Sequence, residues 1–159
     1  GRETAKIALG IGMKVLAYDK FLKEASITLN FSHEKSVEFN IKISKFNYLL
    51  ENSDFISLHV PAQKEFIIDK KQFELMKDGV GIINAARGGV LNEVELISAL
   101  DSGKVSFAGL DTFENEPKPE IKLLMHPNIS LTPHIGAATN EAQDRIGKEL
   151  ADQISNILN

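Results

Sequence analysis

An arginine, a glutamate and a histidine in this chain each follow an apolar, strand-like run, in turns bordered by glycine or proline. Arg87 lies in Asn84-Ala85-Ala86-Arg87-Gly88-Gly89, directly after Val80-Gly81-Ile82-Ile83. Glu116 lies in Asp111-Thr112-Phe113-Glu114-Asn115-Glu116-Pro117, and His134 in Leu131-Thr132-Pro133-His134-Ile135-Gly136. Open α/β sheets bind ligands beyond the carboxyl ends of their strands, so side chains delivered there by three successive strands share one crevice. Neutral imidazole exchanges a proton near pH 7. A carboxylate beside it favours the protonated form. A guanidinium keeps its charge and grips an anion with a planar fork. The three together predict an acid/base centre for a small anionic substrate.

Plainer readings stand beside this one. Arg87 could bond a helix end, His134 could satisfy its own loop, and Glu116 could be a solvated loop acid, with Glu114 as the other candidate partner for the histidine. His59, at a strand end, reads as a wall of the crevice. His33 and His126 read as surface loop residues.

The elements that must position these groups alternate between helical and strand-like patterns, which predicts an α/β fold with a doubly wound, mainly parallel sheet. Residues 2–11 read as a helix and 14–19 as a buried strand ending in Asp19. Residues 20–35 read as polar and irregular. Val37, Phe39, Ile41 and Ile43 alternate at period 2, as in a half-buried extra strand. A short helix over 45–52, a strand over 55–59 and a helix over 69–77 with Phe73 and Met76 inward lead to the strand at Val80. Asn92 is placed to cap the next helix, with Glu95 reaching back and Gly103 as its stop. Strands at 105–110 and 129–131 follow. A last helix begins near Thr139, its stripe Ala142, Ile146, Leu150, Ile154 and Ile157 expected to pack.

The 159 residues fit one domain, and 43% hydrophobic with 25% charged residues is ordinary for a globular protein. A net charge of -4 with no basic block longer than Lys70-Lys71 argues against nucleic acid and anionic membrane as partners. No apolar run approaches the ~18 residues of a membrane span, and no leader pattern opens the chain. With no cysteine, disulfides and thiolate metal sites are excluded, no metal is expected, and a cytoplasmic setting is consistent.

Asp19 stands eighteen positions after Gly1, close to the ~20 between a dinucleotide-binding glycine fingerprint and its ribose-binding acid. Gly1 is therefore expected to be the last glycine of a GxGxxG motif. The first strand and the other glycines would lie upstream, and what remains would form two half-sheets without a shared strand.

Five motifs in order, Gly1-Arg2-Glu3 through Asp19, His59-Val60-Pro61, Asn84 to Gly89, Gly109 to Pro117 and Thr132 to Gly136, resemble the NAD-binding domain of the D-isomer-specific 2-hydroxyacid dehydrogenases. The resemblance covers nearly the whole chain. It implies a Rossmann-type domain, lacking a substrate domain, in a homodimer that exchanges hydride between C2 of a short 2-hydroxy acid and NAD. Arg87 would hold the substrate carboxylate, His134 would act as acid/base at the C2 oxygen, and Glu116 would orient the imidazole. Gly1 and Arg2 would open the cofactor-binding helix, Asp19 would take the ribose hydroxyls and favour NAD over NADP, and His59, Val60 and Pro61 would border the adenine. Ala85 and Asp111 would lie by the nicotinamide, with Ala86, Arg87, His134 and Gly136 completing the cofactor-facing set. The chain departs from the family by extra length between Asp19 and Asp54, by Lys20 where proline is common, and by a shorter stretch after Pro61. A binding scaffold that senses NAD(H), or an inactive fragment, are the alternatives in other functional classes.

Overall fold

The computed structural model describes residues 1–32 and 35–158. From residue 55 onward the chain forms a four-stranded parallel sheet, β3 (Phe55–Leu58), β4 (Val80–Asn84), β5 (Val105–Leu110) and β6 (Ile129–Leu131), paired in that order. Helices α2 (Phe46–Asn52), α3 (Lys70–Leu75), α4 (Glu93–Asp101) and α5 (Ile121–Leu124) flank it. This is an α/β fold of Rossmann type. Ile82 and Ala108, neighbours on the sheet, are fully buried with Leu96 of α4, Leu50 of α2 and Leu123 of α5. Phe73 and Met76 point inward as the helical spacing predicts.

The register decides where function can sit. Asn84 pairs with Leu110, and Leu110 with Leu131, so β4, β5 and β6 end level at their carboxyl edge. Adjacent strands lie ~5 Å apart. The three following loops therefore leave the sheet side by side.

The Asn92 side chain caps α4 by accepting from the Val94 and Glu95 amides. No bond from the Glu95 side chain closes a capping box among the described residues, because the Asn92 N–H is already given to the Ile68 carbonyl at 2.9 Å. Gly103, at φ 76, turns the chain after α4, in a conformation that glycine adopts without a Cβ penalty.

The front of the chain differs from expectation. Helix α1 (Arg2–Gly10) forms, but residues 14–19 make no strand. Their one sheet contact is an isolated parallel bridge from Ala17 to Ile43. An apolar run predicts burial; a strand also needs a ladder partner, and among the described residues this run finds a single one. Conversely, residues expected to be irregular contain β1 (Glu24–Asn30), which pairs antiparallel with β2 (Ser36–Lys42). Ala25, Ile27 and Leu29 oppose Ile41, Phe39 and Val37, so one face of the hairpin collects its apolar side chains. Val37 remains exposed, and Ile43 falls outside β2 in the bridge. His33 lies outside the described residues.

Helix α6 (Asn140–Leu158) begins after Thr139, whose Oγ1 accepts from the Ala142 N–H at 3.2 Å. Its apolar stripe does not pack as expected. Only Ala142 is buried, while Ile146, Leu150, Ile154 and Ile157 are exposed. Periodicity specifies a face without supplying the surface that covers it. Among the described residues, no helix is long and apolar enough to cross a membrane.

Candidate active site

The level strand ends bring Glu116 and His134 together. The Nδ1 atom of His134 lies 2.8 Å from Glu116 Oε2. The other Glu116 oxygen accepts from the Phe113 N–H at 2.9 Å, so both ends of the carboxylate are fixed. The bond to His134, followed by that from Phe113, holds the Glu116 pKa below the ordinary glutamate value. Both side chains remain partly open to solvent. With Nδ1 occupied, Nε2 is the ring nitrogen left to face a ligand. The choice between Glu114 and Glu116 is thereby resolved, for Glu114 instead accepts from the Glu93 N–H.

His134 has φ 54, a left-handed conformation uncommon for a residue with a Cβ. Such a residue carries strain of about 1–3 kcal/mol and persists only where its surroundings hold it. The restraint is Asp111. Its Oδ1 accepts from Thr132 Oγ1 at 2.6 Å and the Ile135 N–H at 2.9 Å, and its Oδ2 accepts from the Gly136 N–H at 2.9 Å. Charge-assisted bonds contribute about 1.5–3 kcal/mol each, enough to outweigh the strain. Burial pushes the Asp111 pKa up, but these three bonds and the neighbouring His134 bring it below the ordinary aspartate value. Sequence reasoning placed Asp111 and Gly136 beside the cofactor and missed that they tie down the histidine loop.

Arg87 is exposed on the turn after β4. Asn84 shapes that turn: its Oδ1 accepts from the Ala86 N–H at 3.1 Å and its Nδ2 donates to the Arg87 carbonyl at 3.0 Å. A Cβ at Gly88 would overlap the Phe113 carbonyl, so glycine alone lets the arginine turn lie against the glutamate loop. The guanidinium donates through Nη1 to the Ala86 carbonyl at 2.6 Å. Among the described residues, no hydrogen bond or ion pair joins Arg87 to Glu116 or His134.

The residues expected to meet the adenosine half lie on neighbouring elements. Gly1, before α1, sits against His59, a Cβ built on it falling 3.5 Å from that of His59. His59 follows β3, its Nε2 lies 2.9 Å from Ser57 Oγ, and burial pushes its pKa down, as suits a wall. Val60 is half-buried against the core, whereas Pro61 and Ala85 are exposed and Ala86 is buried. Asp19 Oδ1 accepts from the Phe21 and Leu22 amides at 2.7 and 3.0 Å, which folds the chain sharply after the acid. No hydrogen bond or ion pair joins Asp19 to Arg87, Glu116 or His134 among the described residues. His126 is not the surface residue expected: its ring is 10% exposed, between the Asn128 N–H and Asp101. No cluster of metal-ligating side chains occurs among the described residues.

Residues 1–136 match the family model described as the D-isomer specific 2-hydroxyacid dehydrogenase NAD binding domain. The chain belongs to that family. It is 44% identical to a D-3-phosphoglycerate dehydrogenase of Archaeoglobus fulgidus, over 99% of this chain and 29% of the relative. It is 43% identical to a hydroxypyruvate reductase of Thermotoga maritima, over 97% of this chain and 48% of the relative. The crystal structure of an Aquifex aeolicus D-lactate dehydrogenase, complexed with NAD and lactic acid, superposes with a TM-score of 0.74 at 32% identity, over 99% of this chain and 50% of that one. The chain thus spans half or less of the length of these relatives.

The donor set fits NAD. A helix N-terminus beside Gly1 would present amides to a pyrophosphate, the exposed acid at Asp19 would suit ribose hydroxyls, and His59, Val60 and Pro61 would wall a flat base.

Proposed function

We propose that this chain is the cofactor domain of a longer NAD-dependent D-2-hydroxyacid dehydrogenase, with D-3-phosphoglycerate as the preferred substrate and hydroxypyruvate, glycerate or another short 2-oxo acid as the alternative. The observation that carries the reading is the 2.8 Å contact between His134 and Glu116 at the level strand ends. The phosphoglycerate preference is supported by the segment Thr139 with Glu141-Ala142-Gln143, which resembles the phosphoglycerate members, and by the name of the archaeal relative. A further domain would supply the contacts beyond C2. The homodimer rests on the resemblance, and the cytoplasmic location on the cysteine-free composition.

In the oxidising direction, Arg87 grips the substrate carboxylate through its fork and fixes C2 in the crevice. His134 Nε2 takes the hydroxyl proton as the alcohol becomes a ketone. Glu116, a positioning residue, holds Nδ1 and offsets the imidazolium charge that results. Bound NAD supplies the hydride acceptor. In the reducing direction, His134 returns the proton to the C2 oxygen.

The full-length enzyme tests this with a C2-deuterated 2-hydroxy acid, deuterium being followed into the nicotinamide. His134→Ala should slow transfer by ~10²–10⁴-fold while leaving NADH affinity nearly intact, since an acid/base group acts on the chemical step. Near-normal transfer in that variant would remove the mechanism.

A further inference from the structure

Outside the catalytic trio, two acidic residues are joined in a reciprocal clasp. The Glu93 N–H donates to Glu114 Oε1 at 2.7 Å, and the Glu114 N–H donates to Glu93 Oε1 at 2.7 Å. Glu93 is the first residue of α4, and Glu114 lies in the loop after β5. The clasp therefore ties the start of a core helix to the loop that carries Glu116.

Glu93 is an expensive residue for this place. It is 5% exposed, and a buried carboxylate is costly unless it is well bonded. Burial pushes its pKa up; the bond from the Glu114 amide opposes this, and the charges of Glu114, Glu120 and Glu116 add to the rise. The two carboxylates repel each other, so what holds the pair is the strong bond each makes to the other's amide. Glu114 also places negative charge at the positive end of α4.

The geometry leads directly to the catalytic pair. Phe113 and Glu114 are consecutive: the Glu114 amide is held by Glu93, and the Phe113 amide holds Glu116. The Phe113 carbonyl rests against Gly88, so the clasped loop is also the surface on which the arginine turn lies. We propose that Glu93 and Glu114 are a positioning pair that sets the reach of Glu116 to His134. Its consequence for turnover rests on the dehydrogenase reading above; its consequence for the Glu116 carboxyl does not.

Glu114→Ala in the full-length protein is the test, because Glu114 is exposed and its truncation opens no cavity. Two readouts are taken: the titration of Glu116 by carbon NMR, and kcat with a separate KM for NADH. The charged groups facing Glu116 are His134, Asp111 and, close enough to feel its charge, Glu93, and all three are left in place. The Glu116 midpoint should rise as its bond to His134 loosens. Turnover should fall by about ten- to a hundredfold, as for a catalytic group displaced by a fraction of an ångström to 1 Å, with KM for NADH unchanged. Glu114→Gln and Glu93→Gln keep the acceptor oxygens and should restore both readouts, which a role resting on charge alone would not allow. Parent-like titration and turnover in Glu114→Ala overturn the proposal, as does equal impairment in Glu114→Gln. If the midpoint moves but the parent protein oxidises no 2-hydroxy acid, the clasp stands and the dehydrogenase reading fails.

Discussion

The loops beyond β4, β5 and β6 and the stretch from Lys14 to Ile43 both carry residues that a cofactor domain needs, but they are held very differently. Each of the three loops is fixed twice, once by strand register and once by a side chain: Asn84 for the arginine turn, Glu93 for the glutamate loop and Asp111 for the histidine loop. In the other region, residues 14–19 are held by one isolated bridge and by the Tyr18 ring packed on Phe46, β1 and β2 pair with each other, and Ile27 is the one buried residue among those described. A functional side chain is placed only as well as the backbone beneath it is paired. The loops that bear Arg87, Glu116 and His134 therefore stand on rigid supports, while Asp19 stands on a turn of its own making.

Equal truncations should separate the two regions most clearly. Leu96→Ala, in the core under the level strand ends, should cost ~2–5 kcal/mol in urea unfolding, whereas Ile41→Ala on the half-buried hairpin should cost under ~1.5 kcal/mol. Equal losses would erase the contrast. Gly88→Ala comes next. Its Cβ has no room beside the Phe113 carbonyl, so the arginine turn should move and kcat/KM should fall by ~10²-fold, with little change in NADH affinity.

How much of this was legible in the sequence follows the same division. The strands from Phe55 onward, the Asn92 cap and the meeting of Glu116 with His134 follow from local pattern, because each rests on periodicity or on a short motif at a strand end. The restraints behind them leave no such trace: Asp111 binds partners 21 to 25 residues away, and the Glu93–Glu114 clasp spans 21. Strand β1 was hidden by polar neighbours, although Ala25, Ile27 and Leu29 do alternate. The runs at 14–19 and along α6 show the converse failure, since apolar spacing identifies a face to be covered without naming its cover.

Two smaller effects sharpen the comparison within the rigid region. The folded Asp111 pKa lies below its ordinary value, so its contribution to stability is full above the unfolded aspartate pKa and is lost as pH falls through the folded one. Asp111→Asn should thus lower Tm at neutral pH, the deficit shrinking in acid below about pH 4; a deficit independent of pH would assign the effect to shape alone. Thr112 Oγ1 is buried with no hydrogen-bond partner among the described residues. Thr112→Val should stabilise the fold by ~1 kcal/mol, read from the urea midpoint, by removing an unpaired hydroxyl.

The most direct test of the central claim is a double-mutant cycle on Glu116 and His134 in the full-length enzyme. If Glu116 acts through the imidazole it contacts, Glu116→Gln should reduce kcat clearly in the parent and hardly at all in a His134→Ala background, giving a coupling of about 0.5–3 kcal/mol. Equal losses in both backgrounds would show that the 2.8 Å contact is not what Glu116 contributes, and would contradict the account.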